Sequence, residues 1–290
     1  MAQKRTPKPL PSLEQISKPK RPSLLWSILV GVLLLSLCLL GLVLITRRPW
    51  LPLHVTGGGN TIHILFIGKS YTYVNNLPGL LIELSAHESK PVDAEMVAGG
   101  GARLADHWAQ GKALAAIQRS RWDYVVLQEQ SELGVSFVQN SINPTTFHQS
   151  VRLFNTEIQK VGAKTLLYLT WSRQDAPQNQ SLLTKAYMDI ARELHILVAP
   201  VGPAWQKTVS VYPSTPLYQD DGSHPDSIGS YLAACVFYAT IYQKSPEGLP
   251  ARISNTLVDD DGNPQSGDVK LNPADAHALQ QIAWQVVSAQ

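Results

Sequence analysis

Four short segments of this 290-residue chain carry groups able to do acyl-transfer chemistry. In Gly68-Lys69-Ser70-Tyr71-Thr72 a serine follows the apolar run Ile62-His63-Ile64-Leu65-Phe66-Ile67. Its hydroxyl is a nucleophile only if a neighbouring base takes the proton; otherwise such a serine caps a helix or shapes a turn. In Asp221-Gly222-Ser223-His224-Pro225 the acid stands three residues before the histidine across a glycine. Asp221 can therefore curl back to accept the imidazole Nδ1 proton, which leaves Nε2 free as a base. Pro225 suits a first helical turn and predicts His224 at a helix entrance; a capped helix start with a surface histidine fits the same residues. Gly99-Gly100-Gly101-Ala102 can turn bare backbone N–H groups toward an oxyanion, or serve simply as a tight strand-to-helix connection. In Leu127-Gln128-Glu129-Gln130-Ser131 a side-chain amide can donate to the same oxyanion or bond only a loop, and spacing does not choose between Gln128 and Gln130.

These segments need a frame that brings them together. Strands are predicted near 61–68, 91–98, 122–128, 164–171 and 195–201, and helices near 76–88, 102–119, 144–161, 178–194, 226–243 and 273–288. Short strands alternating with helices imply βαβ units and a mostly parallel sheet. The runs at 62–67, 124–127 and 165–169 are almost continuously apolar, as in strands covered on both faces. All four segments then fall at strand ends or helix entrances on one edge of the sheet, where open α/β sheets carry their sites. Residues 256–272 read as a polar surface loop.

The first 60 residues are of a different kind. Leu24 to Ile45 is an uninterrupted apolar stretch of 22 residues, long enough to cross a bilayer as a helix. The expected organisation is a disordered basic tail over 1–23, a transmembrane anchor over 24–46, a linker over 47–60 and a domain over 61–290. Six basic residues precede the apolar stretch and Arg47 and Arg48 follow it, which predicts a single-pass protein of the cell membrane with a cytoplasmic N-terminus and an extracytoplasmic domain. Beyond residue 48 the chain holds 16 basic against 21 acidic residues, so nothing suggests a nucleic-acid partner. The two cysteines, Cys38 and Cys235, lie in an apolar stretch each and are not expected to pair.

With these segments assembled, residues 61–245 resemble the SGNH hydrolase superfamily, the GDSL-like esterases. Ser70, Gly101, Asp221 and His224 match its nucleophile, its oxyanion glycine and its Asp-x-x-His pair by type and order. The Gly-x-Ser-x-Gly elbow of ordinary α/β hydrolases is absent, since Thr72 stands at its last position. The resemblance implies a flavodoxin-like three-layer α/β/α fold around a five-stranded, mostly parallel sheet. It also implies a catalytic set of Ser70, His224 and Asp221, with an oxyanion hole of the Ser70 and Gly101 N–H groups and a Gln128 amide, Gln130 being the substitute. Two departures stand out: Lys69 occupies a place where the family has Asp or Asn, and Leu127-Gln128-Glu129-Gln130-Ser131 replaces its Gly-x-Asn-Asp block.

The resemblance implies no cofactor and no metal. Asp259-Asp260-Asp261-Gly262-Asn263 fails the calcium-loop pattern, with Pro264 and Lys270 at positions that need Gly and Glu. The expected partner is an ester-bearing small molecule or glycan, the leading activity being removal of acetyl or short acyl groups from a carbohydrate. O-acyl transfer by the same triad and a silent membrane-tethered glycan-binding domain are the alternatives. Trp171, Tyr218 and His107 are candidates for lining the substrate pocket; each is equally a packing or helix-surface residue.

Overall fold

The first strand, β1 (Ile62–Gly68), is an inner strand of the main sheet in a computed structural model that describes residues 59–131, 135–136, 141–142, 144–258 and 264–290. The expected tail, membrane anchor, most of the linker and the acidic loop lie outside the described residues. Among the described residues, no helix is long and apolar enough to cross a membrane.

β1 is flanked in parallel by β2 (Val92–Ala98) and β3 (Tyr124–Leu127). The sheet continues through β6 (Lys164–Tyr168) to β7 (Leu197–Ala199), giving the order β2-β1-β3-β6-β7. The two intervening strands, β4 (Val135–Ser136) and β5 (Ser141–Ile142), form a separate antiparallel pair. Side-chain alternation along β1 divides the core. Ile64 and Phe66 pack into one buried cluster, and Leu65 and Ile67 into the other, which is why β1 reads as an unbroken apolar run.

The Ile64 face is covered by α2 (Leu77–Ser85), α7 (Val201–Val211), α8 (Ser227–Tyr242) and α9 (Pro273–Val287). The Leu65 face is covered by α3 (Leu104–Gln110), α4 (Lys112–Arg119), α5 (Thr145–Lys160) and α6 (Gln180–Leu194). Helix α8 is buried at every residue from Gly229 to Thr240. Three layers result, as expected, and the five expected strands fall where the sequence places them.

Several details differ from expectation. The helix predicted over 102–119 is two helices, because Gly111 takes φ 74° and its N–H caps the carbonyls of His107 and Trp108. Helix α7 is unanticipated; Pro203 stands in its first turn, where proline is tolerated. The expected polar loop at 256–272 is mostly the second half of a hairpin, β8 (Arg252–Val258) with β9 (Pro264–Lys270). Among its described apolar side chains Ile253, Val269 and Leu271 are buried, and they stand among polar residues that hide the strand period. Helix α8 begins at Ser227 with Asp226 as its cap, so Pro225 is not in the first turn; it bridges instead to Tyr218 in a short antiparallel loop.

The order of strands reverses at β1, whose successors lie on opposite sides of it. The crevice beyond the carboxyl ends of β1 and β3 is therefore the place for a site.

Candidate active site

Ser70 opens a single helical turn, α1 (Ser70–Tyr73), immediately after β1. Lys69 precedes it in extended conformation, so the chain swings sharply and sets the serine at the sheet edge. This turn is held from β3. Gln128 Oε1 accepts both the Lys69 N–H, at 2.9 Å, and the Thr72 hydroxyl, at 2.7 Å. Because a backbone N–H can only donate, it fixes which end of the carboxamide is the oxygen. Gly68 is glycine for the same reason: a Cβ there would lie 2.4 Å from Gln128 Oε1 and 2.7 Å from Thr72 Oγ1.

His224 arrives on the loop between α7 and α8. Gln219 N–H bonds the His224 carbonyl at 2.9 Å, Gly222 turns with φ 63°, and Asp226 N–H bonds the Leu217 carbonyl. Inside this loop Asp221 does curl back. Its Oδ1 accepts the N–H groups of Ser223 and His224 at 2.9 Å each, and its Oδ2 meets His224 Nδ1. The bond from His224 first, with the two backbone N–H groups, holds the Asp221 carboxyl down at about 2 against the opposing effect of burial. Asp221 is therefore ionised at neutral pH and selects the tautomer with the proton on Nδ1. His224 Nε2, left as an acceptor, lies 2.9 Å from Ser70 Oγ.

The glycine segment closes a turn through the Ala102 N–H to Gly99 carbonyl bond, with Gly101 at φ 66°, a conformation that favours glycine. Gln128 Nε2 is buried and has no hydrogen-bond partner, although such an orphan donor ordinarily costs about 1–3 kcal/mol. Beside the glycine turn lies an open pocket of ≈ 360 Å³ whose wall includes Asp106, His107 and Gln110.

The structure thus brings together Ser70, His224 and Asp221, and puts Gly101 and Gln128 on the neighbouring strand ends. Gln130 follows Gln128 out of the core with its N–H on Glu129 Oε1. The pocket candidates fare differently. Trp171 is 1% exposed and stacked between Tyr71 and Trp205, so neither face is open to a sugar. Tyr218 is half-buried, its edge against Trp205 and its hydroxyl donating to the Ser172 carbonyl. His107 is no helix-surface residue: it is buried, and its Nε2 donates to the Gly68 carbonyl at 2.7 Å. It touches the pocket from behind the end of β1.

Two features of the site are not apparent from residue types. Lys69, which replaces the family's acid or amide, is only 3% exposed and sets its ammonium 3.0 Å from the centroid of the Tyr71 ring, a cation–π contact. Glu129 is buried with its carboxylate on the Gln130 N–H, and burial pushes its pKa up to about 7. Among the described residues, no group of His, Cys, Asp and Glu is placed to hold a metal ion.

No family model matches the sequence, and no curated protein matches it. Solved structures do. A protein from Slackia heliotrinireducens assigned as an SGNH hydrolase is 30% identical, with a TM-score of 0.53; the match covers 62% of this chain and 99% of that one. A DUF4886 family protein from Bacteroides uniformis is 19% identical over 79% of this chain and 95% of its own, with a TM-score of 0.59. A lipase/acylhydrolase from Enterococcus faecalis, also 19% identical, covers 63% and 96% with a TM-score of 0.51. The last two share the fold.

Proposed function

This chain belongs to the SGNH hydrolase superfamily, and on that premise we propose that Ser70, His224 and Asp221 hydrolyse a carboxylic ester through an acyl-serine intermediate. The observation that carries the reading is the unbroken hydrogen-bonded path from Ser70 Oγ through His224 to Asp221. In the first half-reaction His224 Nε2 takes the Ser70 proton as Oγ attacks the ester carbonyl, and the ionised Asp221 stabilises the imidazolium. The Ser70 and Gly101 N–H groups and Gln128 Nε2 are the donors we assign to the oxyanion, Gln128 Nε2 being unpaired in the resting site. Removal of one such donor commonly lowers kcat by about 10²–10³. The imidazolium then protonates the leaving alcohol, and the same residue activates water to release the acid.

The finer reading is a short acyl group, acetyl first, carried on a carbohydrate hydroxyl. The pocket beside the glycine turn supports it, because small residues leave room there while Asp106 and Gln110 offer polar groups for hydroxyls. A panel of p-nitrophenyl esters of increasing chain length, followed by acetylated glycans, tests it. Preference for acetyl and release of acetate from a glycan are expected; preference for long acyl chains with inert glycans would overturn the substrate assignment. Release of free acid in the presence of excess glycan hydroxyls marks a hydrolase, whereas transfer to them would mark the acyltransferase alternative.

The reading extends to location. The apolar stretch at 24–45 behind a basic tail supports a membrane-anchored enzyme with its domain outside the cytoplasm. Resistance of the full chain to alkaline carbonate extraction is the expected result, and recovery in the soluble fraction would contradict it.

A further inference from the structure

The base and the nucleophile are 154 residues apart in sequence, and the loop that carries the base belongs to no strand of the main sheet. Its two residues flanking His224 are each tied to the chain segment that carries Ser70. On the N-terminal side, Ser223 Oγ lies 2.6 Å from the hydroxyl of Tyr71, the residue after the nucleophile. On the C-terminal side, the Pro225 carbonyl accepts from Asn75 Nδ2 at 2.9 Å, and the same amide reaches Ser230 Oγ in α8 at 3.1 Å.

Both ties rest on unusual local structure. Asn75 stands at φ 56°, a left-handed conformation that non-glycine residues seldom hold without compensation. The Tyr71 ring is gripped on both faces, by Trp171 stacked at 4.5 Å and by the Lys69 ammonium at 3.0 Å, while Trp171 Nε1 bonds the Ser223 carbonyl at 3.0 Å. The Tyr71 ring meets the His224 imidazole edge-on, with centroids 5.7 Å apart. Ser223 is thus held by its hydroxyl and its carbonyl, and His224 sits between two anchored neighbours.

Resting on the reading of Ser70 and His224 as nucleophile and base, we propose that Tyr71 and Asn75 are positioning residues that set the base loop in register on the nucleophile segment. Neither touches the substrate carbonyl in this scheme; each acts through the residue beside His224. The arrangement makes the reach from Nε2 to Oγ independent of the outer part of the loop.

Tyr71→Phe and Ser223→Ala remove the first tie from opposite ends, and Asn75→Gly removes the second while keeping a residue at ease with positive φ. The measurements on the full chain are kcat and KM for p-nitrophenyl acetate, the rate of Ser70 labelling by a fluorophosphonate, and the melting midpoint. Each single variant is expected to lower kcat and the labelling rate together by about threefold to tenfold, the range of one net hydrogen bond, with KM within about twofold of the parent. Tyr71→Phe with Ser223→Ala should be no worse than Tyr71→Phe alone, since Ser223→Ala breaks only a bond that Tyr71→Phe has already removed, the Tyr71 hydroxyl also meeting Ser131. Tyr71→Phe with Asn75→Gly should be slower than both singles. Variants that melt earlier but label and turn over at the parental rate would overturn the proposal, as would losses confined to KM. A folded parent whose Ser70 is never labelled would instead remove the catalytic reading on which it rests.

Discussion

Replacing Gln128 by alanine removes two roles that one carboxamide performs, and a second variant separates them. Gln128 Oε1 is the shared acceptor for the Lys69 N–H and the Thr72 hydroxyl, all three groups being buried. Without it those two donors lose their partner, at about 1–3 kcal/mol each before any water enters the gap. A total near 2–6 kcal/mol lowers the melting midpoint by about 4–24 °C in a domain of this size. The unpaired Nε2 goes too, and with it an oxyanion donor whose loss lowers kcat by about 10²–10³. Thr72→Val, by contrast, deletes one hydroxyl and leaves Nε2 in place. It is expected to destabilise by about 1 kcal/mol and to keep kcat within about threefold of the parent. Thermal melting with steady-state turnover of p-nitrophenyl acetate, well below both midpoints, reads the two effects apart. If Gln128→Ala melts early yet turns over at the parental kcat, Gln128 only braces the serine turn and the oxyanion hole must be drawn without it.

Three further outcomes follow from named contacts. Asp221→Asn should lower kcat by about 10³–10⁴ between pH 6 and 9, because an amide that donates to Nδ1 leaves the proton on Nε2. In the parent, the depressed Asp221 pKa contributes stability that is present above pH 3.8 and lost as pH falls toward 2, so acid melts of Asp221→Asn should lack that step. Glu129 titrates in the opposite sense. Its pKa rises from 4.5 to about 7 through burial, so ionising it weakens the fold progressively between those values, and Glu129→Gln should gain stability relative to the parent at pH 8 but not at pH 4.5. Gly229→Ala places a Cβ 2.4 Å from both the Leu217 carbonyl oxygen and the Trp205 ring, and should destabilise by about 1–3 kcal/mol in denaturant melts.

The proposed trio was legible because each of its two pieces, the serine turn and the Asp–His turn, is local in sequence. An Asp three residues before a His across Gly222 has one easy way to fold back, and a serine after a doubly buried strand has one edge to occupy. The central strands were legible for a related reason: covered on both faces, they carry no polar alternation to blur them. What escaped depends on tertiary register. That Gln128 Oε1 meets the Lys69 N–H follows from β3 lying beside β1, with Leu127 opposite Ile67, which no spacing states. Trp171 was open to a sugar-stacking role because its type fits both burial and stacking on a ring; the Tyr71 and Trp205 faces decide it. The hairpin of β8 and β9 was hidden because its described buried apolar residues, Ile253 and Val269, stand among polar ones. His107 was read as pocket or surface; it does reach the pocket wall, and its buried bond to Gly68, which no spacing states, also makes it a support for the end of β1.

Incubating the full chain with a fluorophosphonate and mapping the adduct by peptide mass spectrometry tests the assignment of the nucleophile most directly. One adduct on the peptide bearing Ser70 is expected, absent after heat denaturation and in Ser70→Ala, and formed more slowly by about 10³ or more in His224→Ala. A folded chain that stays unlabelled, or that carries its adduct on another residue, would contradict the account.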